Sequence, residues 1–318
     1  MTRSALCTGG AGFVGSNLVK RLDADGWDVD VVDNLTNGHM CFVPEYLRED
    51  HLWLHDFSSP LILDRIRKGK YEVVFHLAAI PRVSYSVEYP LVSHEANVTK
   101  TLSLMDACRD NVDRFVFASS SSVYGGADIL PTEESYPKSP KSPYAMQKSI
   151  IEDYLRLYWK LYKLDSASMR FFTVFGPHQT GNSPYMTALS AWMTAIKKGI
   201  PMRMDGDGSQ SRDLCYVDNT VDACIRAADF RGSLQGEAFN VACGDRTTNA
   251  EIMQFLKDRF PSAKSYEAPP RVGDVAHTQA SIKKTKSVLG YDPKIRFWEG
   301  FEKTIKWHDD NWDLIKDF

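Results

Sequence analysis

Four consecutive serines, Ser119 to Ser122, are followed some two dozen residues later by Tyr144-Ala145-Met146-Gln147-Lys148. On a helix, positions i and i+4 share one face, so the Tyr144 phenol and the Lys148 ammonium would point the same way. A free phenol has a pKa of about 10, too high for a base near neutrality. A nearby cation favours the phenolate and draws that value down. A hydroxyl from Ser120 can share the proton in transit. Such a set takes a proton from an alcohol oxygen or returns one to a ketone oxygen. Many helices carry a Tyr and a Lys four apart by chance, so the reading depends on what positions them.

The chain has 318 residues, enough for one large core and a smaller lobe. Its composition is globular, with 43% hydrophobic and 25% charged residues. A net charge of −3 offers no bulk attraction to nucleic acid or an anionic membrane. Any anion must therefore be met by local arginines or backbone N–H groups. The six cysteines are scattered without a C-x-x-C pair, which supports neither a metal site nor a disulfide framework. Cys7, inside an apolar run, reads as a buried thiol in a reducing compartment. No signal-peptide pattern opens the chain and no apolar run is long enough to span a bilayer, so a cytoplasmic location is expected.

Ser4–Thr8 reads as a strand that runs into Gly9, Gly12 and Gly15, a G-x-x-G-x-x-G with Phe13 and Val14 between the last two. An amphipathic helix pattern follows from Ser16 to Asp25. Strand, glycine turn and helix together are the context a dinucleotide fingerprint requires. Gly9 would allow the tight turn, Gly12 the approach of backbone to pyrophosphate, and Gly15 close packing of helix on strand. The second strand, 28–32, ends in Asp33-Asn34, 18 positions after Gly15. A carboxylate there accepts from a ribose diol and repels a 2′-phosphate, favouring NAD over NADP. A third strand at 52–55 ends at Asp56-Phe57, where a polar side chain can meet the adenine edge. A fourth, 72–79, leaves through Leu77-Ala78-Ala79, small enough to leave room for a ligand. A helix is predicted from about 90 to 109 and includes Asn97, read as a solvated or capping amide or a functional one. The serine cluster ends a fifth strand, 114–118. This alternation predicts a doubly wound α/β fold on a parallel sheet, with ligand groups at the strands' carboxyl ends.

Thr8-Gly9-Gly10-Ala11-Gly12-Phe13-Val14-Gly15, Asp33-Asn34, His76-Leu77-Ala78-Ala79, Ser119 to Gly125 and Tyr144-x-x-x-Lys148 stand in order at the usual spacing. With them the chain resembles, over nearly its whole length, the extended short-chain dehydrogenase/reductase superfamily. The branch it resembles is that of nucleotide-sugar epimerases and dehydratases, and within it UDP-hexose and UDP-N-acetylhexosamine 4-epimerases. The resemblance implies a Rossmann domain with a smaller C-terminal substrate lobe. It implies Ser120, Tyr144 and Lys148 as the catalytic set, with Lys148 also holding the nicotinamide ribose of NAD. The helix after Tyr144 is apolar or aromatic on more than one face, through Ile150, Tyr154, Leu157, Tyr158 and Leu161. A second buried face suggests a subunit interface, and the resemblance adds weight to a homodimer.

After a sixth strand at 165–172 a loop rich in breakers is expected from Phe175-Gly176-Pro177-His178-Gln179 to Pro184. Residues 1–173 with 215–244 are assigned to the NAD-binding domain, and 174–214 with 245–318 to the substrate lobe. Two positions depart from the family's pattern: Thr173 stands where Asn is usual, and His178 where Arg is usual. By resemblance Thr173, Asn182, Arg212, Arg271 and Asp274 contact the sugar nucleotide, the two arginines on its phosphates. The turn 205–213 lacks the third acid and terminal Glu of a calcium loop and is not read as one. Trp298, Trp307 and Trp312 of a helical tail read as packing.

The positions after Ser120 bear on the reaction. Dehydratases and decarboxylases of the superfamily place carboxylates where this chain has Ser121-Ser122. A 4-epimerase needs only oxidation and re-reduction at C4, with NAD regenerated. Thr278 falls at a size gate of the galactose 4-epimerases, where a small residue admits N-acetylhexosamines. The expectation is a UDP-GlcNAc/UDP-GalNAc 4-epimerase, with UDP-Glc/UDP-Gal also accommodated. The alternatives are another nucleotide-sugar modifier (a dehydratase, a reductase or a C3/C5 epimerase) and a non-catalytic cofactor sensor.

Overall fold

The computed structural model describes residues 2–180, 188–269 and 275–317. β1 (Ser4–Thr8), β2 (Asp28–Val32), β3 (Leu52–Trp53), β4 (Val73–His76), β5 (Arg114–Ser120) and β6 (Ser166–Phe171) join a later strand, Glu237–Val241, in one seven-stranded sheet. The order is Glu237–Val241, β6, β5, β4, β1, β2, β3, and all neighbours run parallel. Parallel strands covered on both faces read as continuous apolar runs. The buried stretches of β1, β4 and β5 have that form.

One face is covered by α1 (Phe13–Ala24), through Leu18, Val19 and Leu22, and by the helix Val217–Asp229, through Val221, Cys224 and Ala228. The other is covered by Ile62 and Ile66 of the helix Pro60–Arg67, by Leu104 and Met105 of Lys100–Cys108, and by Ile151 and Leu155 of the helix Pro143–Tyr162. Burying each such side chain contributes about 1.5–3 kcal/mol. The strand order reverses at β1, with β2 on one side and β4 on the other, which opens a crevice at their carboxyl ends.

Several elements differ from the sequence expectation. β3 is two residues long, because the His55 N–H turns back to Trp53 O at 2.9 Å. β4 stops at His76, where the chain passes over Gly9. The 90–109 helix is in three parts: Pro90–His94, a π turn Glu95–Thr99, and Lys100–Cys108. A wide turn leaves no mark on side-chain periodicity. Phe175 belongs to a short strand, Thr173–Phe175, parallel to Leu214–Tyr216. The tail holds a strand as well as helices, Ser265–Ala268 beside Met202–Asp205. No helix among the described residues is long and apolar enough to cross a membrane.

Candidate active site

Ser142 caps the helix Pro143–Tyr162 by accepting from the Ala145 N–H at 3.2 Å, and Pro143 occupies its first turn. This start places Tyr144 in the first turn, where its own N–H donates to Ser86 Oγ at 3.0 Å. The Ser120 hydroxyl, at the end of β5, is hydrogen-bonded to the Tyr144 phenol and accepts from the Ser122 N–H at 3.1 Å. One turn on, Lys148 Nζ donates to Ala118 O at 2.7 Å and lies 5.8 Å from the Tyr144 ring centre. Burial pushes the Tyr144 phenol up to about 12, and the Ser120 hydrogen bond works against that rise. Burial draws the Lys148 ammonium down to about 7, and the Glu152 carboxylate works against that fall. The phenol thus stands above its ordinary value and is not drawn down as its spacing from Lys148 predicts; the pair lies at one end of a crevice, where a proton can be exchanged with an oxygen of a bound ligand.

A cavity of about 980 Å³ extends from this pair to the ends of β2 and β3. Ser120, Tyr144, Lys148, Gly9, Gly12, Phe13, Val14, Gly15, Asp33, Asn34, Asp56, Phe57, Leu77, Ala78 and Thr173 all line it. Two glycines have geometric reasons to be glycine. A Cβ on Gly9, whose φ is +72°, would meet Ala78 N at 2.6 Å, and one on Gly15 would meet Gly9 O at 2.1 Å. Gly12 stands at the N-terminus of α1, whose free N–H groups suit a pyrophosphate. Asp33 accepts from the N–H groups of Ala11 at 3.0 Å and Leu35 at 2.8 Å. Burial raises its carboxyl, and those two hydrogen bonds work against the rise. Asp56 is ion-paired with Lys100 at 2.6 Å. Cradle, helix end and acid together fit a dinucleotide.

The structure separates the substrate candidates. Thr173 lines the cavity, and its N–H donates to Asp213 O at 3.2 Å. Arg212 and Thr278 are not among the lining residues; Arg212 donates to Ser211 O and Ala276 O, and the Thr278 hydroxyl accepts from the Asp213 N–H at 3.3 Å. Asn182, Arg271 and Asp274 lie outside the described residues.

Other residues around the site take their roles only from the structure. Asn97, in the π turn, is buried: its carbonyl accepts from the Ile80 N–H at 2.8 Å, and its amide donates to Ile80 O and Gln147. It thus fixes the loop that leaves β4, and it is neither solvated nor a cap. A π turn often marks such a site, but nothing in the sequence announced one. His76 is held between the hydroxyls of Thr8 at 2.7 Å and Thr101 at 2.9 Å. Burial and then Lys148 draw it down to about 3. His178 takes αL backbone with φ +70°, stacks on Phe42 at 4.4 Å and bonds to Ser16 and Lys20. It ties the loop after Thr173–Phe175 to the first turns of α1. Trp307 packs edge-on against it.

Residues 5–242 match the NAD dependent epimerase/dehydratase family. The chain belongs to that family, and it is an NAD-dependent enzyme of its nucleotide-sugar branch. It is 36% identical, over 95% of its length and 97% of the relative's, to a UDP-glucose 4-epimerase of Mycolicibacterium smegmatis. A UDP-N-acetylglucosamine 4-epimerase of Methanobrevibacter ruminantium, solved with UDP-N-acetylmuramic acid, superposes with a TM-score of 0.90 at 32% identity, covering 98% of this chain and 99% of that one. A dTDP-glucose 4,6-dehydratase of Streptomyces venezuelae, solved with NAD, gives 0.88 at 27% identity, covering 98% of both chains. The fold is therefore shared by enzymes that epimerise and enzymes that dehydrate.

Proposed function

We propose that the protein interconverts the C4 epimers of a UDP-sugar through a transient 4-keto sugar. The observation that carries this reading is the buried Tyr144 and Lys148 beside Ser120 at one end of a dinucleotide-sized cavity, with hydroxyls at 121 and 122. Tyr144 takes the proton of the sugar 4-hydroxyl, and Ser120 holds the same oxygen. Lys148 offsets the charge on the phenolate. NAD supplies the hydride acceptor and, after the sugar has turned over, the donor. Dehydration needs a further acid and base beside the sugar, and the turn after β5 provides neither. Gly9, Gly12, Phe13, Val14, Gly15, Asp33, Asn34, Asp56, Phe57, Leu77, Ala78 and Lys148 are assigned to the cofactor. Thr173, Asn182, Arg212, Arg271, Asp274 and Thr278 are assigned to the substrate, and residues 1–173 with 215–244 to the cofactor domain.

UDP-GlcNAc and UDP-GalNAc are the favoured pair. The small Thr278 at the family's size gate and the likeness to a UDP-N-acetylglucosamine 4-epimerase both support them. Homodimerisation is supported by Leu157 and Leu161, 44% and 60% exposed on the outer face of the catalytic helix. Proton NMR of the purified protein with UDP-GlcNAc or UDP-Glc tests the assignment. A new galacto anomeric signal from UDP-GlcNAc supports it. Turnover of UDP-Glc alone sinks the N-acetylhexosamine reading, and a 4-keto or unsaturated product sinks the epimerase.

A further inference from the structure

Tyr144, Lys148 and Glu152 stand at i, i+4 and i+8 on one helix, so the catalytic face continues into a fully buried carboxylate. Glu152 is bound on three sides. Arg170 of β6 grips it in a two-pronged pair, Nε to Oε1 at 2.9 Å and Nη2 to Oε2 at 2.7 Å. Ser119, the neighbour of Ser120, donates to Oε1 at 2.6 Å. Lys138 Nζ stands 3.8 Å from Oε2. Arg170 is itself 1% exposed and gives its other nitrogen to Tyr124 Oη at 2.8 Å and Glu134 O at 3.1 Å. Tyr124 in turn donates to Asn240. The network thus spans β5, the catalytic helix, β6 and the edge strand.

A buried ion pair is a weak source of stability, since desolvation offsets most of the attraction. Its placement suggests another use. We infer that Glu152, locked by Arg170 and Ser119, is a positioning residue that keeps Lys148 in its ammonium form beside the Tyr144 phenol. Around Lys148, β4 offers His76, held neutral between two hydroxyls, and β5 offers the Phe117 ring at 4.6 Å and the Ala118 carbonyl. The catalytic helix itself offers Tyr144 and Glu152. Among the described groups, Glu152 is the anion whose field acts on Lys148. The carboxylate takes the Ser119 hydroxyl and the ammonium takes the adjacent Ala118 carbonyl, so both charges meet the same stretch of β5 one helical turn apart. The inference rests on the catalytic role given to Lys148 and Tyr144, but not on which sugar is turned over.

The test reads Lys148 directly. The 15N resonance of its side chain is followed against pH in the lysine-labelled, NAD-loaded protein, with Lys148→Met supplying the assignment. In the double variant Glu152→Gln/Arg170→Gln, which removes both charges together, the Lys148 midpoint should fall by about one pH unit. The high-pH limb of turnover should fall with it. An unmoved or raised midpoint in the folded variant overturns the inference. Ser119→Ala, which keeps the carboxylate, should leave the midpoint within a few tenths of a unit. A drop as large as the double variant's would make the network structural only. The wild-type protein gives a test that needs the double variant not at all. The 13C carboxyl signal of Glu152, read by glutamate labelling, should shift at the Lys148 midpoint, and a carboxylate blind to that titration contradicts the coupling. Failure of the epimerase reading would leave these resonances readable, so the two failures are distinct.

Discussion

Gly12 and Gly15 make different demands, and alanine at each should separate them. A Cβ on Gly15 would sit 2.1 Å from Gly9 O and 2.8 Å from Gly10 Cα, where ordinary contact begins at 3.4 Å. The obstacles are backbone atoms of a tight turn, so α1 must move off that turn by more than 1 Å at the closest contact. Forcing atoms into a packed interior costs about 1–3 kcal/mol or more. At about 2–4 °C per kcal/mol for a chain of a few hundred residues, Gly15→Ala should lower Tm by several degrees even without cofactor. A Cβ on Gly12 meets only Gly9 O, at 3.2 Å, so Gly12→Ala should cost the NAD-free protein about 1 kcal/mol or less. Its methyl would instead stand where the pyrophosphate approaches the helix, so NAD affinity should fall at least tenfold. Differential scanning calorimetry of the stripped variants, with NAD titrated by fluorescence, reads both effects. If Gly15→Ala melts like wild type, or Gly12→Ala binds NAD normally, the division of labour assigned to this turn is wrong.

Tyr144→Phe should abolish turnover at least a thousandfold while leaving NAD content unchanged by absorbance of the released cofactor; partial activity would mean that another group moves the proton. His76, His178 and His308 are buried and drawn down by burial to about 3, 3 and 4, with Lys148, Lys20 and Lys197 adding to the effect. The unfolded chain binds their protons at higher pH, so this stability is fully present above about 6.5 and is lost as pH falls toward 4. The slope is up to about 1.4 kcal/mol per pH unit for each group. Urea denaturation at pH 7 and pH 5 should show a drop of a few kcal/mol, and equal midpoints would contradict the assigned neutral state. His178→Ala removes the link between the loop at 176–180 and α1, and should raise the NAD release rate several-fold in a stopped-flow chase; an unchanged rate would leave the link without a role in holding cofactor. Leu157→Glu with Leu161→Glu should halve the mass seen by light scattering if the exposed face joins two copies, whereas a wild-type monomer would end the dimer reading.

The central sheet was legible because glycine turn, acid and alternating elements each have a local cause. The turn at Gly9–Gly15 and the acid at Asp33 are written in contiguous residues, and so is the Tyr144–Lys148 spacing. What could not be read depends on contacts between distant segments. Asn97 becomes important only when Ile80 and Gln147 meet it, and Glu152 only when Arg170 arrives on β6. His178 looked like a departure from a pattern, and its bonds to Ser16 and Lys20 span some 160 positions of the chain. Two short strands of the second half, Ser211–Arg212 and Ser265–Ala268, are too brief to show a period.

The most direct test follows the hydrogen at C4. UDP-GlcNAc deuterated at C4 is incubated with the purified protein, no cofactor added, and the products are read by NMR and mass spectrometry. The account predicts a mixture of gluco and galacto isomers, both keeping deuterium at C4, because the label leaves and returns within one site. Loss of the label to solvent, or its appearance at another carbon of a deoxy-keto sugar, would contradict it.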